Sequence, residues 1–342
     1  MRRVFIMIMI TLVLALQAHA SSVKVESTTD KLEIGETFGN VIPSFTKSDI
    51  SELQSGSITT KATTKYNQYL RFSGLPQPSV VFDRDDLTNS AQDFLKLSRN
   101  TGANNAFFEY ELEFESGLQS DISSDSDLSD FIGKQIYIFN QPFTITLATT
   151  TGNSVELEMV SGAVSDFIET EQTKQFTINA KTYHVKVTSI EESTKQVRVN
   201  VDGTDISPMK KGEIASLPDG TLIGVTRLLF SSGGSTNDMA EIFIGAKAVK
   251  LKDNNYLDTS FDESVEINKA KIQGAFVSIY ATLSGTTLKI SKIKYRLTSK
   301  NDIWLKTNEK LSEKFGDQKE GLLANWDMHY GGLSVVTSNP IA

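Results

Sequence analysis

Side chains able to act as acids, bases or metal ligands are unevenly supplied: 42 carboxylates stand beside three histidines and no cysteine. His19 falls in the N-terminal segment expected to be cleaved on export, which leaves His184 and His329, far apart in the chain. Two isolated histidines make a poor zinc site, and the helical His-Glu-x-x-His pattern is absent. So are the Gly-x-Gly-x-x-Gly and P-loop phosphate cradles and the Gly-x-Ser-x-Gly nucleophile elbow. Zero cysteines excludes disulfides, iron-sulfur clusters, thioether-bound haem and thiol catalysis together.

The carboxylates gather in three places. Asp121, Asp125, Asp127 and Asp130 alternate with serines, and Asp83, Asp85 and Asp86 form a second group. Both groups lack the EF-hand glycine at position six and glutamate at twelve, and Ser-Asp runs also serve as linkers and helix caps, so they read as solvated loops. Structural calcium is the one ion they would suit. Glu109, Glu111, Glu113 and Glu115 recur every second residue, as the wet face of a strand does. A glycosidase pair comes from positions distant in sequence, so abundance alone identifies none. No residue is assigned a catalytic, cofactor-binding or metal-ligating role. Trp304 and Trp326 are candidates to stack on a carbohydrate, although tryptophan is more often core.

Period-two alternation predicts the elements that carry these side chains. Phe108-Glu-Tyr-Glu-Leu-Glu-Phe114 is the clearest case, and further β-rich runs fall at 69–72, 135–139, 143–147, 155–160, 176–178, 183–187, 197–201, 222–230, 242–251, 276–283 and 288–297. Asp202-Gly203, Asp219-Gly220, Asn179-Ala-Lys181 and Ser284-Gly-Thr286 are turn signals between them. Helix is expected only at 126–131 and at 308–314, where Asn308 would cap. The fold class is therefore all-β with minor α: tandem β-sandwich or barrel-like domains with few short helices.

Lys292, Lys294 and Arg296 form a basic face complementary to the glutamate face, which makes the two strands candidate neighbours unless each faces solvent in its own sheet. Pairing them gives an N-terminal β domain at 21–126, a central β module at 127–255 and a C-terminal segment at 256–342 packing with the N-terminal domain. Residues 136–146 and 176–186 share a strand, turn, strand order, which is hairpin grammar rather than a repeat.

Arg2 and Arg3, the apolar run 4–16 and the Ala18-His19-Ala20 site read as a signal peptide, residues 1–20, with the mature chain starting at Ser21. Thirteen apolar residues are too few to span a bilayer, so no transmembrane helix is expected in the mature chain. Removing two arginines from 34 basic residues leaves 32 against 42 acidic ones, a net charge of -10. That balance argues against nucleic-acid binding. No Asn-x-Ser/Thr sequon occurs.

The segments Tyr66-Asn-Gln-Tyr-Leu-Arg-Phe72, 107–121, Asp127-Leu-Ser-Asp-Phe-Ile-Gly-Lys134, 143–146, 157–164, Val199-Asn-Val-Asp-Gly203, 217–225, Ile244-Gly-Ala246 and 325–332 resemble, in order and spacing, those of archaeal surface-layer proteins. The resemblance covers most of the mature chain. It implies tandem β-rich domains, a structural and non-enzymatic role, and self-assembly with identical copies into a surface lattice. It also implies a secreted location in the cell envelope and stabilisation by divalent cations. Members commonly carry sequons, and longer ones an apolar anchor; this chain lacks the former and ends in Ser338-Asn-Pro-Ile-Ala342, so another envelope anchor or lattice contacts would hold it, or the sequence is a fragment of a longer one. The alternatives are a secreted carbohydrate- or surface-binding β protein and a polysaccharide-cleaving enzyme.

Overall fold

The structure is a computed structural model that describes residues 6–14, 32–85, 90–99, 101–178, 180–231, 238–245, 247–323 and 326–335. The expected cleavage site at Ala18-His19-Ala20, the mature start at Ser21, Asp86, Asn179 and the terminal residues 338–342 lie outside them. Strand accounts for 60% of the chain and helix for 8%, so the protein is all-β.

The strands in order are β1 (Ile6–Leu14), β2 (Ser44–Phe45), β3 (Gly56–Thr59), β4 (Thr63–Arg71), β5 (Ser79–Arg84), β6 (Ala91–Leu97), β7 (Phe108–Asp121), β8 (Gln135–Ile138) and β9 (Gln141–Thr151). Then come β10 (Ser154–Ser161), β11 (Val164–Glu169), β12 (Thr173–Ile178), β13 (Lys181–Glu191), β14 (Gln196–Val201), β15 (Thr204–Lys210), β16 (Ile214–Ser216), β17 (Leu222–Leu229) and β18 (Met239–Gly245). The last are β19 (Lys247–Asp253), β20 (Val265–Ile267), β21 (Ala270–Lys271), β22 (Ala275–Ser284), β23 (Thr287–Leu297), β24 (Ile303–Leu305) and β25 (Trp326–Val335). The expected helices shrink to a 3-10 turn at Ser129–Phe131 and one turn of α-helix at Leu311–Lys314. Asn308 does not cap the latter: Lys310 holds that position, and Asn308 sits at φ 70°.

Two sheets form the main body. One has the order β2-β4-β7-β23-β22, with β3 also on β4; the other runs β21-β20-β19-β10-β9-β8. Both feed one core, in which Tyr110 and Trp326 lie against Phe139 with ring centroids 5.1 and 5.5 Å away. Gln68 on β4 ties the layers together. Its side-chain oxygen accepts from the Tyr110 hydroxyl at 2.8 Å and the Phe139 amide at 3.0 Å, which satisfies a polar group that is only 2% exposed. Strands from both ends of the chain thus meet in one body, β7 lying between β4 and β23.

Residues 164–245 leave this body between β10 and β19, which pair directly from Val155↔Asp253 to Ser161↔Lys247. The excursion folds into a sandwich of two four-stranded sheets, β11-β18-β17-β16 and β12-β13-β14-β15. Its core is separate and includes Phe176, Val185, Val199, Ile223 and Ile242. Asp202-Gly203 closes the β14–β15 hairpin with both residues at positive φ, 49° and 87°, as a two-residue turn of this hand requires. The sandwich rests on the outer face of β10 through Val160, Phe243, Leu222, Ile214 and Ala248. Polar contacts fix it further: Arg227 donates to the Ile132 carbonyl at 3.2 Å, Lys269 donates to the Ile214 carbonyl, and Lys211 pairs with Asp127.

Candidate functional site

The densest charge in the described residues is a ladder across β4, β7 and β23. Register sets Glu109, Glu111 and Glu113 directly opposite Arg296, Lys294 and Lys292. Arg296 Nη2 lies 2.7 Å from Glu109, Lys294 Nζ 3.0 Å from Glu109 and 3.3 Å from Glu111, and Lys292 Nζ 2.7 Å from Glu113. From the other flank Arg71 reaches Glu111 at 2.7 Å. The charge complementarity read from the sequence is therefore a physical pairing.

The expectation of a wet glutamate face holds at Glu115, which is exposed, and fails at Glu109 and Glu111, which are 4% and 2% exposed. Residues remote in sequence lie against the cations that pair with them. Phe261 lies under the Arg296 guanidinium at 4.1 Å and Tyr280 under Lys294 at 5.5 Å. Burial works to raise the Glu111 carboxyl, but Arg71, Lys292 and Lys294 outweigh it and hold the group below the usual carboxylate range. Burial likewise works against the charge on Lys294, and Glu109 and Glu111 overcome it, raising the ammonium. Such groups stay ionised at neutral pH and hold strands in register. They are poorly suited to proton transfer, which needs a group that titrates near the working pH.

Beside the ladder opens a cleft of about 790 Å³ that includes Asn104, Asp258, Phe261, Tyr280 and Arg296. A second, of about 420 Å³, is bordered by Asp83, Asp85, Phe94, Trp304, Lys306 and Lys314. There Asp85 is ion-paired to Lys306 at 2.5 Å and accepts from Gln92 at 2.6 Å. Trp304 is half-buried, edge-on to Phe94, with the Lys96 ammonium 4.5 Å from its ring centroid. Trp326 is core, 3% exposed and stacked on Phe139, and is unavailable to a ligand.

The remaining sequence candidates disperse. His184 is exposed on β13 and 3.1 Å from Asp202, whereas His329 lies on β25 in another sheet. Asp121 pairs with Lys61 at 2.5 Å and Asp127 with Lys211, while Asp130 accepts the Asp121 amide at 3.0 Å. Among the described residues no group of three or more His, Asp or Glu converges in a geometry for a metal ion.

Sequence reasoning missed Glu158 on β10. It is 8% exposed, one carboxyl oxygen has no hydrogen-bond partner among the described residues, and burial pushes its pKa up to about 7. Lys250 lies opposite in register but reaches Glu156 at 3.3 Å. The one sequence signal was a glutamate beside Val160, on the face that receives the inserted sandwich. Comparisons with known protein families, curated proteins and solved structures find no match for this chain.

Proposed function

We propose that the chain is an exported structural protein of the cell envelope that assembles with identical copies into an extended surface layer. The observation that carries this reading is an all-β fold of several short sheets, some of whose outer strands have no strand partner on one side among the described residues. β12 and β15 flank one sheet of the inserted sandwich, and β11 and β16 the other. An unpaired edge offers amides and carbonyls to another copy. The interior charge supports the same reading, since the ladder holds strands together without disulfides. The resemblance to archaeal surface-layer proteins and the acidic mature composition agree with it.

Contacts of this kind that do not close into rings extend without limit. The mature chain, concentrated across salt and calcium conditions and followed by sedimentation and negative-stain microscopy, should form sheets or large oligomers. A monomer under every condition overturns the proposal.

The Trp304 cleft favours a second reading, attachment to a surface polysaccharide. Trp304→Ala should then abolish retention on that polysaccharide, and equal retention of both proteins removes this reading.

A further inference from the structure

β25 has an unusual position: among the described residues its continuous strand partner is β1 alone, and the two form a sheet of their own. Its opposite edge is closed by the chain at 308–310, where the Tyr330 amide donates to Glu309 at 3.1 Å and the Tyr330 carbonyl accepts from Asn308 at 2.7 Å. Alternate peptide groups of a strand face opposite edges, so those of Asp327 and His329 face β1. On the core side Trp326, Met328 and Tyr330 are at most 3% exposed. Opposite them in register stand Leu14, Leu12 and Ile10, so the edge receives an extended strand with apolar residues at every second position.

That strand lies inside the residues expected to be removed on export. Its loss would leave the β25 edge unpaired beside the buried Trp326, whose ring nitrogen has no hydrogen-bond partner among the described residues. The new N-terminus created by the same cleavage is Ser21-Ser-Val-Lys-Val-Glu-Ser-Thr-Thr29, where Val23 and Val25 alternate with Lys24 and Glu26. The eleven residues 21–31 can extend roughly 36 Å, enough to run along the edge of a neighbour.

We propose that the vacated edge of β25 accepts residues 21–29 of a second copy, linking mature molecules head to tail by strand addition. The inference rests on export and assembly as proposed above, and adds the contact that does the linking. Before cleavage the leader blocks this edge in its own molecule. Assembly is thereby coupled to export, and because donor and acceptor are different surfaces the contact propagates.

The chain has no cysteine of its own, which permits a direct test. Mature protein carrying His329→Cys is mixed with mature protein carrying Lys24→Cys and oxidised; both side chains would lie on the outward face of the joined strands. The expected result is a mixed covalent dimer, and loss of large oligomers when residues 21–29 are deleted from the otherwise unaltered mature chain. Assembly that survives the deletion, with no mixed dimer, overturns the strand-addition contact and leaves the envelope role standing. Dimers of the His329→Cys protein with itself would show that two β25 edges pair, which also overturns it. If the unaltered mature chain never assembles, both readings fall.

Discussion

Glu158 gives the most quantitative prediction. Its carboxyl lies beneath the inserted sandwich, and Glu156 and Glu266 add to the burial that drives it from an ordinary 4.5 to about 7, with Lys250 and Lys269 opposing. The folded state therefore keeps a proton that the unfolded chain has released. Stability contributed at this site falls as pH rises from 4.5 to about 7 and then levels off, the total being about 3 kcal/mol. Glu158→Gln supplies a neutral group of the same shape at every pH. Urea unfolding of both proteins from pH 4.5 to 8.5 should show nearly equal stability at the acid end. By pH 8 the variant should be more stable by about 3 kcal/mol, an upper figure if water reaches the site. A difference that does not change with pH, or one that shrinks as pH rises, would refute the reasoning.

Glu111→Ala leaves Arg71, Lys292 and Lys294 crowded without their shared carboxylate and should lose about 3 to 5 kcal/mol in urea unfolding. Because the Glu111 carboxyl titrates below its ordinary 4.5 when folded, its stabilisation is present above that value and lost as pH falls through the lower one. Acid unfolding of Glu111→Gln should accordingly be shallower than wild type below pH 4.5. At Gly39 an added Cβ would lie 2.3 Å from the Phe72 carbonyl oxygen, a backbone atom that cannot swing aside. Gly39→Ala should cost about 1 to 3 kcal/mol, read as a lowered melting temperature. Replacing residues 163–246 by a short turn joins Ser161 to Lys247, already paired across the sheet. The remaining body should keep its near-ultraviolet circular dichroism and one cooperative thermal transition.

Alternation made the strands legible, because side chains on successive residues of a strand point to opposite faces whatever the tertiary context. The pairing of β7 with β23 was legible too, since Glu109, Glu111 and Glu113 met Lys292, Lys294 and Arg296 at the same two-residue spacing. Burial of the glutamates was not. The cations against them come from both neighbouring strands, Arg71 on β4 and Lys294 and Arg296 on β23, and alternation does not report whether a polar face is covered. A central module was expected at 127–255, but the bounds of the inserted sandwich were hidden for a related reason: β10 and β19 look like any other strands, and only their direct pairing reveals that 164–245 is the excursion. The two tryptophans carried no local sign of their fates, although Trp326 entered the core and Trp304 a cleft rim.

Immunogold electron microscopy of cells that make this protein, using antibody against the mature chain, tests the envelope role most directly. Dense labelling of the outer surface, on an array whose repeat persists in cryo-electron tomograms, is the expected result. Label confined to the cell interior, or scattered without order over an otherwise intact surface, would contradict it.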